Sequence, residues 1–240
     1  SKIISTVMNN SQSSFFEFTK TTAGNINLQD YTGWNSLVIS KIYLKKGECL
    51  TSKEISEKYT DLQNKEKIFI SIKGKQNLIL QLSKKLLKPF DAVNFFKGKN
   101  DKYKIEANDN SILYMISAKN LENLDQNREP FFFNFKNDLE SKNLWGGKII
   151  SRVYESLGLT VVLFELKEGF EFEDKGHYNE QITWLIEGSM DFFTDGTTKT
   201  LDNNIGVDIK SNQLHGGICK NKAIGFDAFF PKRDENKYKN

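Results

Sequence analysis

The chain has 240 residues, of which 38% are hydrophobic and 27% are charged, a composition typical of a globular protein rather than a long disordered segment. Its 34 basic and 31 acidic residues are scattered and leave a net charge of +3, so the concentrated basic face that nucleic-acid binding requires is not evident. No apolar run approaches the roughly 20 residues of a membrane span, and SKIISTVMNN lacks the pattern of a signal peptide. We therefore expect a cytoplasmic protein that binds neither nucleic acid nor membranes.

Short runs of β-branched and aromatic residues recur between clusters of Gly, Asn, Asp and Lys, at spacings typical of antiparallel β structure. In chain order they read SLVISKIYL, KIFISIKG, NLILQL, SILYMIS, LTVVLFEL, ITWLIEG, MDFFT and GFDAFF. One helical period occurs in SKEISEKYTDLQNKEK, where Ile55, Tyr59 and Leu62 recur at helical spacing and Ser52 is placed to cap the helix. The sequence predicts an all-β fold with a short helical insertion in its first half.

An internal repeat divides the chain. EKIFISIKG, at residues 66–74, aligns with EQITWLIEG at residues 180–188, and each consists of a glutamate, an apolar strand and a glycine turn. Upstream of each copy, YLKKG aligns with ELKEG. The pattern predicts two copies of one β unit, 1–125 and 126–240, with the boundary in the polar stretch NLENLDQNREP.

The chain has two histidines, His177 and His215. Alternate side chains of an extended strand share a face, so Glu173, Lys175 and His177 are expected to point the same way. Gln181 begins the next strand after a turn, and His215 precedes two glycines. If these strands are neighbours in a barrel, His177, Gln181 and His215 converge on one interior point. Two imidazoles and an amide oxygen suit one divalent transition metal, Fe, Mn, Ni, Zn or Co, with positions left for a substrate.

The segment GHYNEQITWLIEG, followed by a Gly-rich hairpin and then LHGG, resembles the two signature motifs of the cupin superfamily. The similarity is greatest to bicupins of the bacilysin-biosynthesis isomerase type, which also have a terminal segment similar to FFPKR at residues 229–233. The resemblance implies a bicupin, with two antiparallel jelly-roll (double-stranded β-helix) barrels in one chain. It also implies that His177, Gln181 and His215 are metal ligands in the C-terminal barrel.

The sequence departs from the cupin pattern at Lys175, which stands where the family has its first histidine. A protonated lysine does not ligate a metal, so Glu173 or water could fill that position, or Lys175 could act in catalysis or anchor an anion. The first copy departs further: it has no histidine, Lys67 replaces the glutamine, and Tyr103 falls near the position of the second-motif histidine. We expect a degenerate N-terminal barrel without metal ligands.

The resemblance implies a metal-dependent isomerase, tautomerase or lyase that acts on a small oxygen-rich metabolite in the C-terminal barrel. The metal would act as a Lewis acid, and Lys175 or Glu173 would move the proton. One alternative is a non-catalytic ligand-binding or sensor cupin, and a second is an iron-dependent oxygenase. A monomer and a homodimer are both compatible with two barrels in one chain.

Overall fold

The computed structural model describes residues 14–96, 101–123 and 128–233. The predicted boundary between residues 125 and 126 lies outside this described part of the chain, as does the stretch at residues 1–10 on which the signal-peptide prediction depends. The described residues form two compact units, and neither unit is continuous in sequence.

We call these the N-terminal unit and the C-terminal unit. The N-terminal unit contains Thr19–Thr32 and Val38–Leu139, with the two gaps noted above. The C-terminal unit contains residues 14–18, Gly33–Leu37 and residues 140–233. Each unit consists of one seven-stranded and one four-stranded sheet built from antiparallel pairs.

The sheets of the N-terminal unit bury an apolar core that includes Phe69, Leu78, Ile105 and Met115. Across the larger sheet the strands are β12 (Phe131–Asn134), β9 (Asp91–Phe95), β6 (Lys67–Lys73), β11 (Ser111–Ala118), β4 (Leu37–Leu44), β3 (Ile26–Thr32) and β2 (Thr19–Ala23). Across the smaller sheet they are β5 (Cys49–Thr51), β10 (Tyr103–Ala107), β7 (Gln76–Leu80) and β8 (Lys84–Leu87).

The helical insertion forms α1 (Ser52–Lys58), followed by a 3₁₀ turn at Thr60–Leu62. The predicted cap at Ser52 was wrong by one residue, because Thr51 accepts the Glu54 N–H while the Glu54 side chain accepts the Thr51 N–H. This reciprocal capping box satisfies two amides that a helix start otherwise leaves unpaired. Among the described residues, no helix is long and apolar enough to cross a membrane.

The sheets of the C-terminal unit bury a second core, which includes Phe164, Leu185, Phe192 and Val207. Across the larger sheet the strands are β1 (Phe15–Glu17), β20 (Ile205–Ile209), β17 (Glu180–Gly188), β22 (Ala223–Phe230), β15 (Thr160–Leu166), β14 (Ile149–Glu155) and β13 (Lys142–Leu144). Across the smaller sheet they are β16 (Phe170–Asp174), β21 (His215–Cys219), β18 (Met190–Thr194) and β19 (Thr197–Leu201).

The two units share one strand order. Reading each larger sheet from the edge strand, β12-β9-β6-β11-β4 corresponds to β1-β20-β17-β22-β15, and in the smaller sheets β5-β10-β7 corresponds to β16-β21-β18. The repeat segments EKIFISIKG and EQITWLIEG form the corresponding strands β6 and β17. The predicted all-β fold with two antiparallel jelly-roll barrels and a short helix in the first is confirmed.

The units differ from the predicted halves 1–125 and 126–240 at both ends. β1 comes from the first half but pairs with β20, with Phe15 opposite Val207. β12 comes from the second half but pairs with β9, with Phe132 opposite Val93. Each barrel therefore completes its larger sheet with an edge strand from the other half of the sequence, a long-range pairing that local patterns do not reveal.

Two buried carboxylates hold the segment Gly33–Leu37 within the C-terminal unit. Glu180 accepts hydrogen bonds from the backbone N–H groups of Ser36 (2.8 Å) and Leu37 (3.2 Å). Asp208 accepts one from the N–H of Trp34 (2.6 Å). Burial raises the pKa of Asp208 to about 8, and the nearby charge of Glu180 adds to the increase. Glu180 thus has a structural role.

We expect Asp208→Asn to weaken the dependence of stability on pH. The pKa of Asp208 in the folded state, about 8, exceeds the value of about 3.9 expected in the unfolded chain. Stability from this group is therefore greatest at low pH and is lost as the pH rises towards 8. Asparagine keeps the acceptor for Trp34 and does not titrate. Urea unfolding at pH 5, 6, 7 and 8 should give a shallower slope for Asp208→Asn, whereas the exposed Asp195→Asn should match the parent chain.

Candidate metal centre

Pairing between β16 and β21 brings a carboxylate beside an imidazole. Asp174, the last residue of β16, lies directly opposite His215, the first residue of β21. Gly216 allows β21 to lie this close to its neighbours, since a Cβ atom there would lie 2.3 Å from the carbonyl oxygen of Phe172. The LHGG motif therefore places His215 at a crowded end of the smaller sheet.

His177 lies in the turn between β16 and β17, where Gly176 has a left-handed conformation with φ of 114°. A Cβ atom at Gly176 would lie 2.6 Å from the carbonyl carbon of Asn212, so the turn requires glycine. The Gly176 N–H donates to the Asp174 carboxylate (2.8 Å), and the Asn212 N–H donates to the carbonyl of His177 (2.6 Å). The chain thus folds back and buries the His177 ring with its centroid 5.3 Å from that of His215.

Glu173 and Lys175, the residues predicted to act in catalysis, have exposed side chains and do not line the neighbouring cavity. The prediction that they share a face with His177 was wrong, because it extended the strand through Lys175. β16 ends at Asp174, the cavity face of β16 carries Phe172 and Asp174, and the left-handed turn then breaks the alternation. Asp174, which the pattern did not single out, places a carboxylate beside the two histidines, the position for which Glu173 was one of the candidates.

Hydrogen bonds fix the orientation of the Gln181 amide near the start of β17. Its NH₂ group donates to Thr183 Oγ1 (2.9 Å) and to Asp227 Oδ1 (3.2 Å), and the Thr183 hydroxyl donates to the same carboxylate oxygen (2.6 Å). Because these acceptors take the NH₂ group, Gln181 Oε1 faces His177 Nε2 at 2.9 Å.

The surroundings of His177 test whether the site suits a metal. Nδ1 lies 3.0 Å from the carbonyl oxygen of Asn179, so both ring nitrogens face oxygen acceptors. A neutral imidazole has one N–H, and burial lowers the pKa of His177, which favours that neutral form. With the proton on Nδ1, lone pairs on His177 Nε2 and Gln181 Oε1 face each other. A cation bound by both atoms removes this conflict, so the donor set fits a metal ion.

His215 is oriented in the same way. Its Nδ1 lies 2.9 Å from the carbonyl oxygen of Gln213, which leaves Nε2 as the ligating atom. Burial lowers the pKa of His215 and favours the neutral, ligating ring. Asp174, His177 and His215 each offer one potential ligand atom. These three atoms lie within 4.8 Å of one another. The structure therefore brings together the predicted residues His177, Gln181 and His215, and it adds Asp174.

A cavity of about 150 Å³ opens beside these groups. This volume is below the roughly 300–1,000 Å³ of typical ligand pockets, so the cavity suits a small metabolite. Polar side chains form one part of its wall: Ser151, Asp174, Gln181, Thr183, His215, Asp227 and Arg233. Apolar side chains form the rest: Ile149, Val162, Phe164, Leu166, Phe170, Phe172, Met190, Phe192 and Phe229.

Arg233 and Asp227 are cavity residues that sequence patterns did not identify as functional. Arg233 stacks on the Phe229 ring, 4.9 Å from its centroid, and its backbone N–H donates to Thr160 Oγ1 (2.9 Å). Burial raises the pKa of Asp227 to about 6, while hydrogen bonds from Thr183 and Gln181 oppose the increase. The FFPKR segment was noted only as a resemblance, and it could have drawn attention to Arg233.

No protein-family model matches this chain, and no curated protein matches its sequence. Similarity is found at the level of structure. AerE from Microcystis aeruginosa superposes with a TM-score of 0.71 at 11% identity, covering 91% of this chain and 99% of its own. A cupin 2 conserved barrel domain protein from Leptotrichia buccalis has a TM-score of 0.60 at 16% identity, covering 88% and 91%.

Oxalate decarboxylase from Bacillus subtilis is also similar, with a TM-score of 0.69 at 10% identity over 93% of this chain and 78% of its own. Another structure of that enzyme concerns its Mn(II) centres. At these identities the comparisons show the fold alone. The chain has the cupin fold, in a two-barrel form, and its C-terminal barrel brings together side chains that can hold a metal ion.

Proposed function

We propose that the C-terminal unit is a metal-dependent enzyme that moves a proton on a small oxygen-rich acid, as an isomerase, tautomerase or lyase. The observation that carries this proposal is a single small cavity lined by Gln181, His215, Asp227 and Arg233. It combines metal-binding groups, a carboxylate and a guanidinium. Oxalate decarboxylase, which has a similar fold, has Mn(II) centres, which supports metal binding by this chain.

Arg233 supplies the group that recognises the acid. Its guanidinium forms part of the cavity wall and is fixed by stacking on Phe229. A guanidinium binds a carboxylate through two parallel hydrogen bonds, which orients the substrate as well as retaining it. The apolar part of the cavity wall can pack against a short carbon chain.

Asp227 supplies the group that moves the proton. A bound divalent transition metal would act as a Lewis acid on a carbonyl or carboxylate oxygen of the substrate and acidify the adjacent C–H bond. Asp227, a carboxylate in the cavity wall, is placed to accept that proton and return it to another atom of the substrate. Hydrogen bonds from Thr183 and Gln181 hold the accepting carboxylate beside the metal-binding groups.

Hydrogen–deuterium exchange tests this proposal directly. The full chain, loaded with Mn(II), is incubated in D₂O with pyruvate, 2-oxobutanoate or 2-oxoglutarate, and deuterium at the carbon next to the carbonyl is followed by NMR. We expect exchange above that caused by free Mn(II). Asp227→Asn should reduce the rate by about 100-fold or more, the usual contribution of a positioned acid–base group. Arg233→Met should mainly raise KM, because the carboxylate contact is present in both ground and transition states.

Asp195→Asn is the control, because this aspartate is exposed in a turn. Exchange that persists unchanged in Asp227→Asn would contradict the assigned proton acceptor. If none of the three acids exchanges although the chain binds both Mn(II) and the acid, the proposed enzyme is excluded. A non-catalytic ligand-binding cupin would then explain the same cavity.

A further inference from the structure

The N-terminal unit contains a larger cavity that the proposed function does not use. Its volume is about 890 Å³, and its wall is formed by α1, the following turn and strands β6, β7, β9 and β10. It lies at the position in the N-terminal barrel that corresponds to the metal centre of the C-terminal barrel. The strand order shared by the two units establishes this correspondence.

Two residues of the N-terminal barrel occupy the positions of candidate metal ligands in the C-terminal barrel. β6 corresponds to β17, and in the aligned repeat Lys67 takes the place of Gln181. β10 corresponds to β21, and Tyr103 begins β10 as His215 begins β21. Both Lys67 and Tyr103 line the cavity. The N-terminal barrel therefore has an ammonium group and a phenol where the C-terminal barrel has metal-binding groups.

Lys67 is a buried cation in the wall of this cavity. Only 8% of the residue is exposed, and Nζ donates to the carbonyl oxygens of Leu62 (2.7 Å) and Lys65 (3.0 Å). An ammonium has three N–H donors. Among the described residues these two carbonyls are the hydrogen-bond acceptors of Nζ, and Lys67 lines the cavity wall, where a ligand can meet its third N–H. Burial lowers the pKa of Lys67 to about 8, and the charge of Asp101 acts in the opposite direction.

The remaining charges of the cavity wall are mainly positive. Lys53, Lys65, Lys102 and Lys104 line it together with Lys67, against two acidic side chains, Glu57 and Asp101. Part of this charge is already engaged, since Lys53 pairs with Glu57 at 3.9 Å and Lys65 donates to the carbonyl of Leu121. The five lysines against two carboxylates leave an excess of three positive charges, which favours an anionic ligand.

Beside Lys67, the cavity offers an aromatic surface. Phe95 and Tyr103 stack with ring centroids 4.3 Å apart and nearly parallel planes, and Phe69 packs edge-on against both. Phe95 is also the direct partner of Lys67 across the β6–β9 pair, so the ammonium and the aromatic rings belong to neighbouring positions. Ile79 and Leu80 extend the apolar part of the wall.

We propose that the N-terminal barrel binds a small organic acid without a metal. The carboxylate would accept a hydrogen bond from Lys67 Nζ, and the apolar or aromatic body would pack beside Phe95 and Tyr103. The carboxylate of such a ligand neutralises the buried ammonium through a charge-assisted hydrogen bond. The apolar part of the ligand is removed from water at the same time, which offsets the cost of burying the charge pair. This site is separate from the metal centre and does not depend on the proposed enzyme activity.

Calorimetric titration of the metal-free full chain with benzoate, cinnamate and 4-methylpentanoate tests this proposal. We expect at least one of these acids to bind, and its uncharged amide to bind at least tenfold more weakly. Lys67→Met should weaken binding of the acid at least tenfold, whereas Lys67→Arg should keep most of it by retaining the charge. Lys84→Met, at an exposed lysine of β8, should have no effect.

A second variant separates the two barrels. Arg233→Met reports on the cavity of the C-terminal unit. Loss of acid binding in this variant with retention in Lys67→Met would place the acid in the C-terminal unit and overturn the proposal. Equal affinity for acid and amide, or unchanged affinity in a folded Lys67→Met chain, would overturn the proposal. Failure of all three acids to bind at millimolar concentration would also overturn it. Thermal unfolding of each variant confirms that it is folded, and Lys67→Arg provides the comparison if Lys67→Met is not.

Discussion

Replacing His215 with alanine should reduce the affinity of the chain for Mn(II) by at least about 100-fold, since even loss of an outer-shell partner commonly costs 10- to 100-fold. His215 supplies one of two neutral imidazoles, and its Nε2 is left available because Nδ1 faces the carbonyl oxygen of Gln213. Titration calorimetry, with elemental mass spectrometry of the purified protein, measures the change. Tyr178→Phe serves as the control, because Tyr178 is exposed in the same turn as His177.

Mn(II) titration of three further variants distinguishes the observed end of β16 at Asp174 from the predicted strand that continued through Lys175. Asp174→Asn should weaken Mn(II) binding, because the Asp174 carboxylate lies beside both imidazoles. Glu173→Gln and Lys175→Met should leave it nearly unchanged, because these two side chains are exposed outside the cavity. Loss of metal in Glu173→Gln with retention in Asp174→Asn would show that the strand has the register first predicted. No Mn(II) binding by the parent chain would remove the metal centre altogether.

Removing the Glu180 carboxylate should destabilise the chain by about 3 kcal/mol, because a buried donor left without its acceptor costs about 1–3 kcal/mol and Glu180 serves two. The affected groups are the N–H groups of Ser36 and Leu37, which Glu180→Ala leaves without this acceptor in a buried environment. Urea unfolding at pH 7 measures the change in the free energy of unfolding. Glu180→Gln keeps one amide oxygen as acceptor, so we expect a smaller loss.

Glu187→Ala provides a matched comparison on the same strand. Glu187 is exposed, and its only described ion pair is a 3.9 Å contact with Lys222, so we expect a change within about 0.5 kcal/mol. Equal effects at Glu180 and Glu187 would show that the segment Gly33–Leu37 does not depend on the buried carboxylate. A large loss of Mn(II) binding in folded Glu180→Gln would instead assign Glu180 to the metal centre.

Local sequence patterns were sufficient for the strands and for three of the four groups that the structure brings together at the candidate metal centre. Runs of β-branched and aromatic residues between turn clusters predicted β6, β17 and β18 closely. β6 and β17 are buried over most of their length, so their apolar runs are nearly continuous. Gln181 was assigned correctly to a strand start, since it follows a turn and precedes an apolar run. His177 and His215 drew attention as the chain's two histidines.

The remaining features depend on tertiary contacts. Asp174 could not be chosen over Glu173 without knowing that β16 ends at Asp174 and that Gly176 reverses the chain against Asn212. Asp227 comes from β22, and its raised pKa is a consequence of burial rather than of any local motif. The exchange of β1 and β12 between the halves of the chain is likewise decided by pairing across long sequence distances.

That exchange has a consequence for how the protein is made. During synthesis the N-terminus emerges first, so Phe15–Glu17 is available long before Val207, its partner in β20, has been translated. Until then, this aromatic segment has no native strand with which to pair, and an unpaired strand is prone to wrong associations. A gene fragment that encodes only residues 126–240 lacks β1 and the segment Gly33–Leu37, so it specifies an incomplete second barrel. We expect co-expression with a fragment that includes β1 and the segment Gly33–Leu37 to supply the missing parts in trans.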